Sequence, residues 1–386
     1  MDTKTIYLDN NATTKTAPEV VEAMLPFFHE HYGNPSSIHR FGGKIRKHVD
    51  DAREQVAALL GAKPTEIYFT SCGTESDSTA VRGFVDEHDT LSRLITSSVE
   101  HPAIRNLCHV LRKRGIPLAE IGVDDQGLPA MDTLGATDID EHTLATFMWA
   151  NNETGVVFPI KEIAETVKAK GGFMHTDAVQ AVGKIPIDVK SVPIDMLSLS
   201  GHKVHAPKGV GAIYLREKTK IAPFLIGGHQ ENGMRAGTEN VAFIVGLGKA
   251  CELAAKHMEE ENTRVRRLRD RLESALLERC PGAKLNGHRT NRLPNTLNIS
   301  FEFIEGEAIL LLLDEKHIAA SSGSACTSGS LEPSHVMRAM SIPYTFAHSS
   351  TRFSLSRYTT EDEIETVIAV LPPIVSHLRS LSPFVK

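Results

Sequence analysis

The chain has 386 residues, enough for two domains or for one large α/β unit with an appendage. Its hydrophobic content of 41%, charged content of 23% and net charge of −6 are ordinary for a soluble globular protein. The sequence contains no Lys/Arg run with interleaved aromatic residues, so we expect no nucleic-acid partner. Because no stretch approaches the ~18 apolar residues of a membrane span and the N-terminus has no apolar signal-peptide core, we expect a cytoplasmic protein without a membrane segment.

Two helices are predicted before the first strand. One begins at Pro18, where the missing N–H of proline has no helical partner to lose, and the other carries apolar residues at spacings of four and three from Ile45 to Leu60. Gly61 closes the second helix. Residues 7–14 are too small and polar for a strong strand or helix, so we expect them to wrap onto another part of the fold.

Apolar runs typical of buried strands then recur along the chain, at residues 67–70, 94–97, 144–149, 173–176, 196–199 and 212–215. Helical patterns separate several of them, for example residues 160–167, which end at a Gly-Gly pair. This alternation predicts an α/β fold with a mainly parallel central sheet and helices on both faces. In such sheets the ligand lies beyond the carboxyl ends of the strands.

Polar side chains follow the ends of five of these strands. In chain order they are Thr74, then His101, then Asn151 and Asn152, then Asp177 and Gln180, and finally Ser200, His202 and Lys203. Each has an ordinary explanation as a turn former or helix cap. Five such coincidences at one edge of a sheet favour a common site.

The first of these positions is a strand–turn–helix unit of the kind that binds phosphate in α/β proteins. The backbone N–H groups of Gly73 and Thr74 would open the helix toward an anion, and Ser200 and His202 would complete the cradle. No lysine follows the glycine, so the unit is not a nucleotide P-loop. An ordinary capped helix start remains the alternative for this stretch alone.

The other positions match a pyridine cofactor, pyridoxal 5′-phosphate. His101 would lie on the face of the ring and Asp177 would pair with the ring nitrogen. Gln180 would donate to the phenolic oxygen, and Lys203 would form the Schiff base. Taken alone, the loop that holds Lys203 also fits a surface turn.

The second half of the chain predicts a smaller domain. A polar glycine-rich loop at 227–238 is of a kind that often faces a subunit partner, and a helical pattern then runs from about Val241 to Leu277. The remaining runs, at 296–301, 308–313 and 351–355 with a terminal helix from Glu361, indicate an α+β domain. We expect residues 15–256 to form the large domain and residues 1–14 with 257–386 the small one.

One cysteine lies in an unusual stretch. The five cysteines are an odd number without a Cys-x-x-Cys pair, which argues against a disulfide framework and a structural zinc site. Cys326, however, lies within residues 321–330, of which seven are Ser or Gly. We expect the loop at about 321–332 to be mobile and Cys326 to be a nucleophile that swings, with a fortuitous exposed thiol as the alternative.

These motifs resemble those of the cysteine desulfurases of the NifS/IscS type, within the fold-type I pyridoxal-phosphate-dependent transferases. They run almost end to end: YLDNNATT (7–14), GNPSSIH (33–39), FTSCGTESD (69–77), EHPA (100–103), NNETGVV (151–157), HTDAVQ (175–180), SLSGHKVHAPKGVG (198–211), GMRAGTEN (233–240), SSGSACTSGSLEPSHVM (321–337) and RFSL (352–355). The forms SCGTES and SACTSGS are more similar to the nitrogen-fixation branch than to the housekeeping branch.

The resemblance implies roles for the matching residues. Lys203, His101 and Cys326 would be catalytic. Lys203 would move a proton at the substrate Cα, His101 would act as an acid–base group over the ring, and Cys326 would attack the substrate sulfur. Arg352 and Asn152 would bind the substrate carboxylate. The implied cofactor contacts are Gly73, Thr74, His101, Asn152, Asp177, Gln180, Ser200, Gly201, His202, Lys203 and Thr238. Thr238 would reach the phosphate of the neighbouring subunit, which implies a homodimer with shared active sites.

The implied reaction converts L-cysteine to L-alanine and leaves a persulfide on Cys326. The persulfide sulfur would pass to a scaffold protein that assembles Fe–S clusters, here for nitrogenase, and Cys326 would be a transient ligand of a nascent cluster. One rival is an aminotransferase or β-lyase of the same fold, which needs no cysteine in a Gly/Ser loop. Another is a redox or scaffold protein, which needs neither Lys203 nor Asp177.

Overall fold

The computed structural model describes residues 5–88, 93–322 and 332–383. Its strands are β1 (Ile6–Tyr7), β2 (Ile67–Thr70), β3 (Arg93–Ser97), β4 (Leu118–Ile121), β5 (Thr143–Met148), β6 (Phe173–Asp177), β7 (Met196–Ser200), β8 (Gly211–Leu215), β9 (Ala283–Leu285), β10 (Thr296–Phe301), β11 (Ile318–Ala319) and β12 (Thr351–Ser354). Residues 323–331 of the predicted loop, which include Cys326, lie outside the described residues.

The helices are α1 (Pro18–Met24), α2 (Pro26–His29), α3 (Arg40–Leu60), α4 (Gly73–Glu87), α5 (Pro102–Lys113), α6 (Met131–Ala136), α7 (Ile160–Ala169), α8 (Val241–Lys256), α9 (Met258–Glu260), α10 (Arg266–Arg279), α11 (Gly306–Asp314), α12 (His335–Ala339), α13 (Tyr344–Ala347) and α14 (Glu361–Leu381). Short 3₁₀ turns lie at Pro64–Glu66, Gly201–Lys203 and Gln230–Gly233, and a π turn lies at Glu261–Val265.

The central sheet has the strand order β2-β8-β7-β6-β5-β3-β4. β8 is antiparallel to both of its neighbours, β2 and β7, and the other pairings are parallel. The prediction of a mainly parallel sheet is confirmed. Because β3, β5, β6 and β7 run in one direction, the turns that follow them meet at one edge of the sheet.

Helix α3 shows how the spacing of apolar residues determines packing. Its buried side chains lie at the predicted four- and three-residue spacings, from Ile45 to Leu60, and Gly61 ends it in the left-handed conformation with φ of 69°. The opposing helix, α8, approaches so closely that a Cβ on Gly248 would lie 2.6 Å from the Cα of Ala52. Glycine at 248 therefore permits the close contact of α3 with α8.

A second, antiparallel sheet of order β12-β10-β9 forms a smaller unit with α10, α11 and α14. Its buried side chains form an apolar cluster of their own, to which Leu8 from the N-terminal segment also contributes. We propose that residues 1–14 with 257–386 are a distinct domain on this basis. Helix α14 is long and apolar enough for a membrane span by composition, yet its apolar face is part of this cluster.

The helical pattern from Val241 to Leu277 is not one continuous helix. Helix α8 ends at Lys256, and α9 and the π turn at Glu261–Val265 precede α10. In this turn the Asn262 side chain donates 2.9 Å hydrogen bonds to the carbonyl oxygens of Met258 and Lys184, so the wider turn connects the helix to the loop after β6.

Candidate active site

Ten of the predicted site residues line a single cavity of about 300 Å³ at the carboxyl edge of the central sheet. They are Gly73, Thr74, His101, Asn152, Asp177, Gln180, Ser200, His202, Lys203 and Arg352. Gly201 lies within the 3₁₀ turn between Ser200 and Lys203. Thr238 lines a neighbouring cavity of about 250 Å³ together with Ser71 and Arg235. Cys326 lies outside the described residues.

One end of the cavity has the features of an anion cradle. Helix α4 begins at Gly73 without a side-chain cap, so its positive end and its first N–H groups face the cavity. The Ser200 hydroxyl is buried, and its Oγ has no hydrogen-bond partner among the described residues. A Cβ at position 73 would lie 2.9 Å from Cγ2 of Val179, so glycine allows the close approach. An orphaned hydroxyl beside a helix start fits a phosphate group.

His202 contributes to the same end without a charge. Its Nδ1 lies 3.2 Å from the Thr13 hydroxyl. Burial, with Lys203 nearby, lowers the pKa of His202 to about 4. A neutral imidazole can still donate a hydrogen bond to phosphate, but the helix start and Lys203 must supply the positive potential.

Lys203 is held by the N-terminal segment. Its Nζ donates hydrogen bonds of 2.5 Å to the carbonyl oxygen of Asn11 and 2.8 Å to that of Ala12. The 3₁₀ turn after β7 brings the lysine there, and a Cβ on Gly201 would lie 2.8 Å from Cγ1 of Val210. The expectation that residues 7–14 wrap onto another part of the fold is therefore confirmed by their contacts with Lys203.

Asp177 is buried and His101 is half-buried in the cavity, where each acts electrostatically on the other. The Asp177 Oδ1 accepts a 2.9 Å hydrogen bond from Val179 N. Burial raises the pKa of Asp177, whereas His101 and Lys203 lower it. The His101 Nδ1 accepts a 3.2 Å hydrogen bond from Ala103 N, which leaves the proton of the neutral ring on Nε2. Burial lowers the pKa of His101 below its ordinary value of 6.5.

Arg352 projects from β12 and is almost fully buried. Its Nη1 donates to the carbonyl oxygen of Asn152 at 2.9 Å, and its Nη2 donates to Asp9 at 2.7 Å. Its Nε has no hydrogen-bond partner among the described residues. A bidentate contact with a substrate carboxylate therefore requires Arg352 to release or share the Asp9 contact.

Both flanks of the segment that holds Cys326 are attached next to this cavity. On the N-terminal side, Ser321 pairs with Arg352 through backbone hydrogen bonds of 2.6 and 3.2 Å. On the C-terminal side, the Ser334 hydroxyl donates to Glu153 at 2.5 Å, and the His335 Nε2 lies 3.0 Å from the carbonyl oxygen of Glu100. The neighbours of Glu153 and Glu100 in sequence, Asn152 and His101, line the cavity.

Sequence reasoning missed several residues of the site. Asn11, Ala12 and Asp77 also line the cavity. Asp77 is buried and Asp177 lies near it, and its pKa is raised well above the ordinary value, chiefly by burial. The motif FTSCGTESD could have indicated Asp77, because burying a carboxylate on a helix face is costly unless it serves a site.

Comparison with known proteins gives consistent matches over the whole chain. The sequence profile of the aminotransferase class-V family matches residues 6–367. A cysteine desulfurase of Trichormus azollae is 58% identical over 379 residues, covering 98% of this chain and 95% of the relative. The cysteine desulfurase NifS of Azotobacter vinelandii is 57% identical over 380 residues, covering 98% and 94%.

Solved structures agree with these sequence matches. A NifS-like protein superposes with a TM-score of 0.91 at 36% identity, covering 97% of this chain and 100% of that chain. SspA in complex with cysteine superposes with a TM-score of 0.81 at 34% identity, covering 92% and 100%.

Proposed function

Since this chain belongs to the aminotransferase class-V family, among its cysteine desulfurases of the NifS type, we propose that it takes sulfur from L-cysteine with pyridoxal 5′-phosphate and transfers it through Cys326. The observation that carries the proposal is one cavity in which a buried acid, a lysine and a hydroxyl without a partner among the described residues meet at a helix start. A redox or scaffold protein needs no such convergence.

The residues present fit the cofactor. Thr74, Ser200 and His202 with the start of α4 would hold its phosphate, Asp177 its ring nitrogen and Gln180 its phenolic oxygen. When bound, pyridoxal 5′-phosphate supplies an aldehyde for a Schiff base and a ring that accepts the electron pair from the substrate Cα. Asp177 would keep the ring nitrogen protonated, because a nearby carboxylate favours the cationic form of that nitrogen.

Lys203 has two tasks in this proposal. It holds the cofactor in the resting enzyme, and after substrate binding its amine takes the proton from the substrate Cα. The carbonyl oxygens of Asn11 and Ala12, which accept from Nζ, keep the amine on that side of the cavity. His101, neutral with its proton on Nε2, would lie over the ring of the bound cofactor and could donate or take up a second proton.

Arg352 and Asn152 orient the substrate through its carboxylate. The guanidinium is fixed by the Asn152 carbonyl oxygen, so the carboxylate meets a donor that is already in place. Asp9 occupies one guanidinium edge, and we propose that it is displaced or shared when the substrate binds.

Cys326 completes the reaction. Its thiolate sulfur attacks the substrate sulfur, an S–S bond forms, and the C–S bond breaks with its electron pair remaining on carbon. That carbon then takes a proton, and the products are alanine and a Cys326 persulfide. Cys326 is five positions from Ser321, so an extended chain reaches at most about 17 Å from a residue paired with Arg352.

A homodimer is the second part of the proposal. Large apolar side chains are exposed in one stretch of the N-terminal region: Val21, Leu25, Phe28, Tyr32, Ile38 and Phe41. Several exposed large apolar side chains in one stretch of chain favour a subunit interface there. Thr238, in the cavity beside the anion cradle, would then reach the phosphate of the partner subunit.

The proposal extends to the acceptor of the persulfide sulfur and to the location of the protein in the cell. We propose that a scaffold protein for Fe–S clusters takes the persulfide sulfur, that nitrogenase is the final destination, and that Cys326 transiently contacts a nascent cluster. We also propose a cytoplasmic location, which agrees with the burial of the apolar face of α14.

The experiment is sulfide and alanine release from L-cysteine under a reductant. Cys326→Ser should keep the coloured cofactor and bind L-cysteine but release no sulfide, because the acceptor sulfur is gone. Ser324→Ala, in the same stretch but without loss of a thiol, should behave like the wild type. Full sulfide production by Cys326→Ser contradicts the mechanism and favours a β-lyase.

A further inference from the structure

A second lysine, Lys184, lies behind the cofactor cavity. It follows β6 in the run HTDAVQAVGK, and only 6% of its surface is exposed. Its Nζ donates to the Gln180 backbone oxygen at 3.0 Å and to the Gln180 Oε1 at 3.1 Å. Lys184 therefore contacts Gln180 twice, on the side away from Asn11.

These contacts determine the orientation of the Gln180 amide. The Asn11 carbonyl oxygen only accepts and protonated Lys184 only donates, so the amide oxygen must be the atom that faces Lys184. The amide nitrogen then faces Asn11, to whose carbonyl oxygen it donates at 2.9 Å. The same carbonyl oxygen accepts from Lys203 Nζ, so one short hydrogen-bonded chain joins the two lysines.

The surroundings of Lys184 keep it in place. Its carbonyl oxygen accepts from Asn262 in the π turn, and Glu261 of that turn is the buried acid near its ammonium group. The other charges that act on it are those of Lys203 and Arg352. His205 and Arg357 also line the adjoining cavity of about 20 Å³. Burial lowers the pKa of Lys184 to about 7, and Glu261 opposes that change.

We propose that Lys184 is a positioning residue of the cofactor site, which holds the Gln180 amide with its N–H group toward the cavity so that the phenolic oxygen of the cofactor meets a donor. The inference rests on the proposed function, because only a bound pyridoxal 5′-phosphate gives Gln180 a phenolic oxygen as its partner. Without Lys184 only the Asn11 carbonyl oxygen, among the described residues, still holds the amide. An amide that turns then presents its oxygen to the phenolic oxygen, which replaces a hydrogen bond with a repulsion. A lysine that only balances the charge of Glu261 has no such effect.

The test uses the holoenzyme and the pH midpoint of its visible cofactor absorbance, which reports protonation of the Schiff-base nitrogen. A donor to the phenolic oxygen stabilises negative charge there and so lowers this midpoint. Lys184→Met should raise the midpoint by about one pH unit, a tenfold change in the protonation constant, since a hydrogen bond to a charged group is lost. An unchanged midpoint overturns the proposal.

A double-mutant cycle separates orientation from charge. In a Gln180→Leu background there is no amide to orient, so Lys184→Met should produce little further shift. A through-space charge effect would produce the same shift in both backgrounds, and that result overturns the proposal. If Lys184→Met does not fold because Glu261 loses its cation, the double variant Lys184→Met/Glu261→Gln against the wild type repeats the comparison, since both carry no net charge at this pair.

Failure of the proposed function has a different signature. A wild-type protein that gains no visible absorbance with pyridoxal 5′-phosphate contradicts the cofactor assignment itself. A wild-type protein with that absorbance, whose midpoint does not respond to Lys184→Met, contradicts only the role of Lys184.

Discussion

Ser200→Ala separates the stability of the fold from the binding of the cofactor. The Ser200 Oγ is buried and has no hydrogen-bond partner among the described residues, so its removal takes no hydrogen bond from the cofactor-free protein. Replacing an unsatisfied buried hydroxyl by hydrogen relieves a desolvation penalty. The melting temperature of the cofactor-free variant should therefore equal or exceed that of the wild type.

Cofactor affinity should change in the opposite direction. If the hydroxyl donates to the phosphate, its loss removes a hydrogen bond to a charged group, worth about 1.5–3 kcal/mol. That free energy corresponds to a roughly 10- to 150-fold weaker affinity. Trp149, the single tryptophan of the chain, suits a fluorescence titration because its neighbours Met148 and Ala150 line the cavity. Its backbone N–H donates to the Asp177 carbonyl oxygen at 2.8 Å.

Ser198 provides the matched control, two residues earlier on β7. Its hydroxyl lies 3.0 Å from the buried His175 Nε2, so Ser198→Ala should destabilise the cofactor-free protein, in contrast to Ser200→Ala. Equal cofactor affinity in Ser200→Ala and the wild type would refute the phosphate cradle. A clear loss of stability in the cofactor-free Ser200→Ala protein would refute the reading of Ser200 as an unpartnered group.

Three further predictions concern neighbouring residues. Burial lowers the pKa of His101, so the acidic limb of the kcat/KM profile should lie below pH 6.5, and a His101 limb above that value contradicts the neutral ring. Burial raises the pKa of Glu100 to about 8, so the stability that its protonated form contributes is lost as the pH rises from about 4.5 to 8. The free energy of unfolding of Glu100→Gln, measured by chemical denaturation, should therefore rise relative to that of the wild type over this pH range. A constant difference contradicts a protonated Glu100. Gly73→Ala places a Cβ 2.9 Å from Val179, so this variant should lose cofactor on gel filtration. The control Gly43→Ala has open space around its Cβ and should retain the cofactor. Equal retention by the two variants contradicts the close packing at α4.

The sheet and its edge were predictable because strand pattern and chain direction are local properties. The apolar run at 196–199 becomes β7, Met196–Ser200, and that at 94–97 becomes β3, Arg93–Ser97. Once these strands run parallel, the residues after them must meet at one edge. The positions of Asp177 and Lys203 follow from that geometry.

The contacts across long stretches of chain were not predictable from pattern. The Asn11 carbonyl oxygen meets Lys203 across 192 positions, and Asp9 meets Arg352 across 343, because the N-terminal segment docks onto both sheets. No periodicity encodes such docking. The break in the pattern from Val241 to Leu277 was hidden for a related reason, since apolar spacing continues through a π turn whose wider geometry depends on side-chain contacts.

The most direct test of the account is a single turnover with L-cysteine and no reductant. We expect one alanine for each active site and one additional sulfur atom on the peptide that contains Cys326, after which turnover stops until an acceptor or reductant removes the sulfur. Continuous release of sulfide with Cys326 unmodified, or formation of pyruvate and ammonia in place of alanine, would contradict the transfer of sulfur through Cys326.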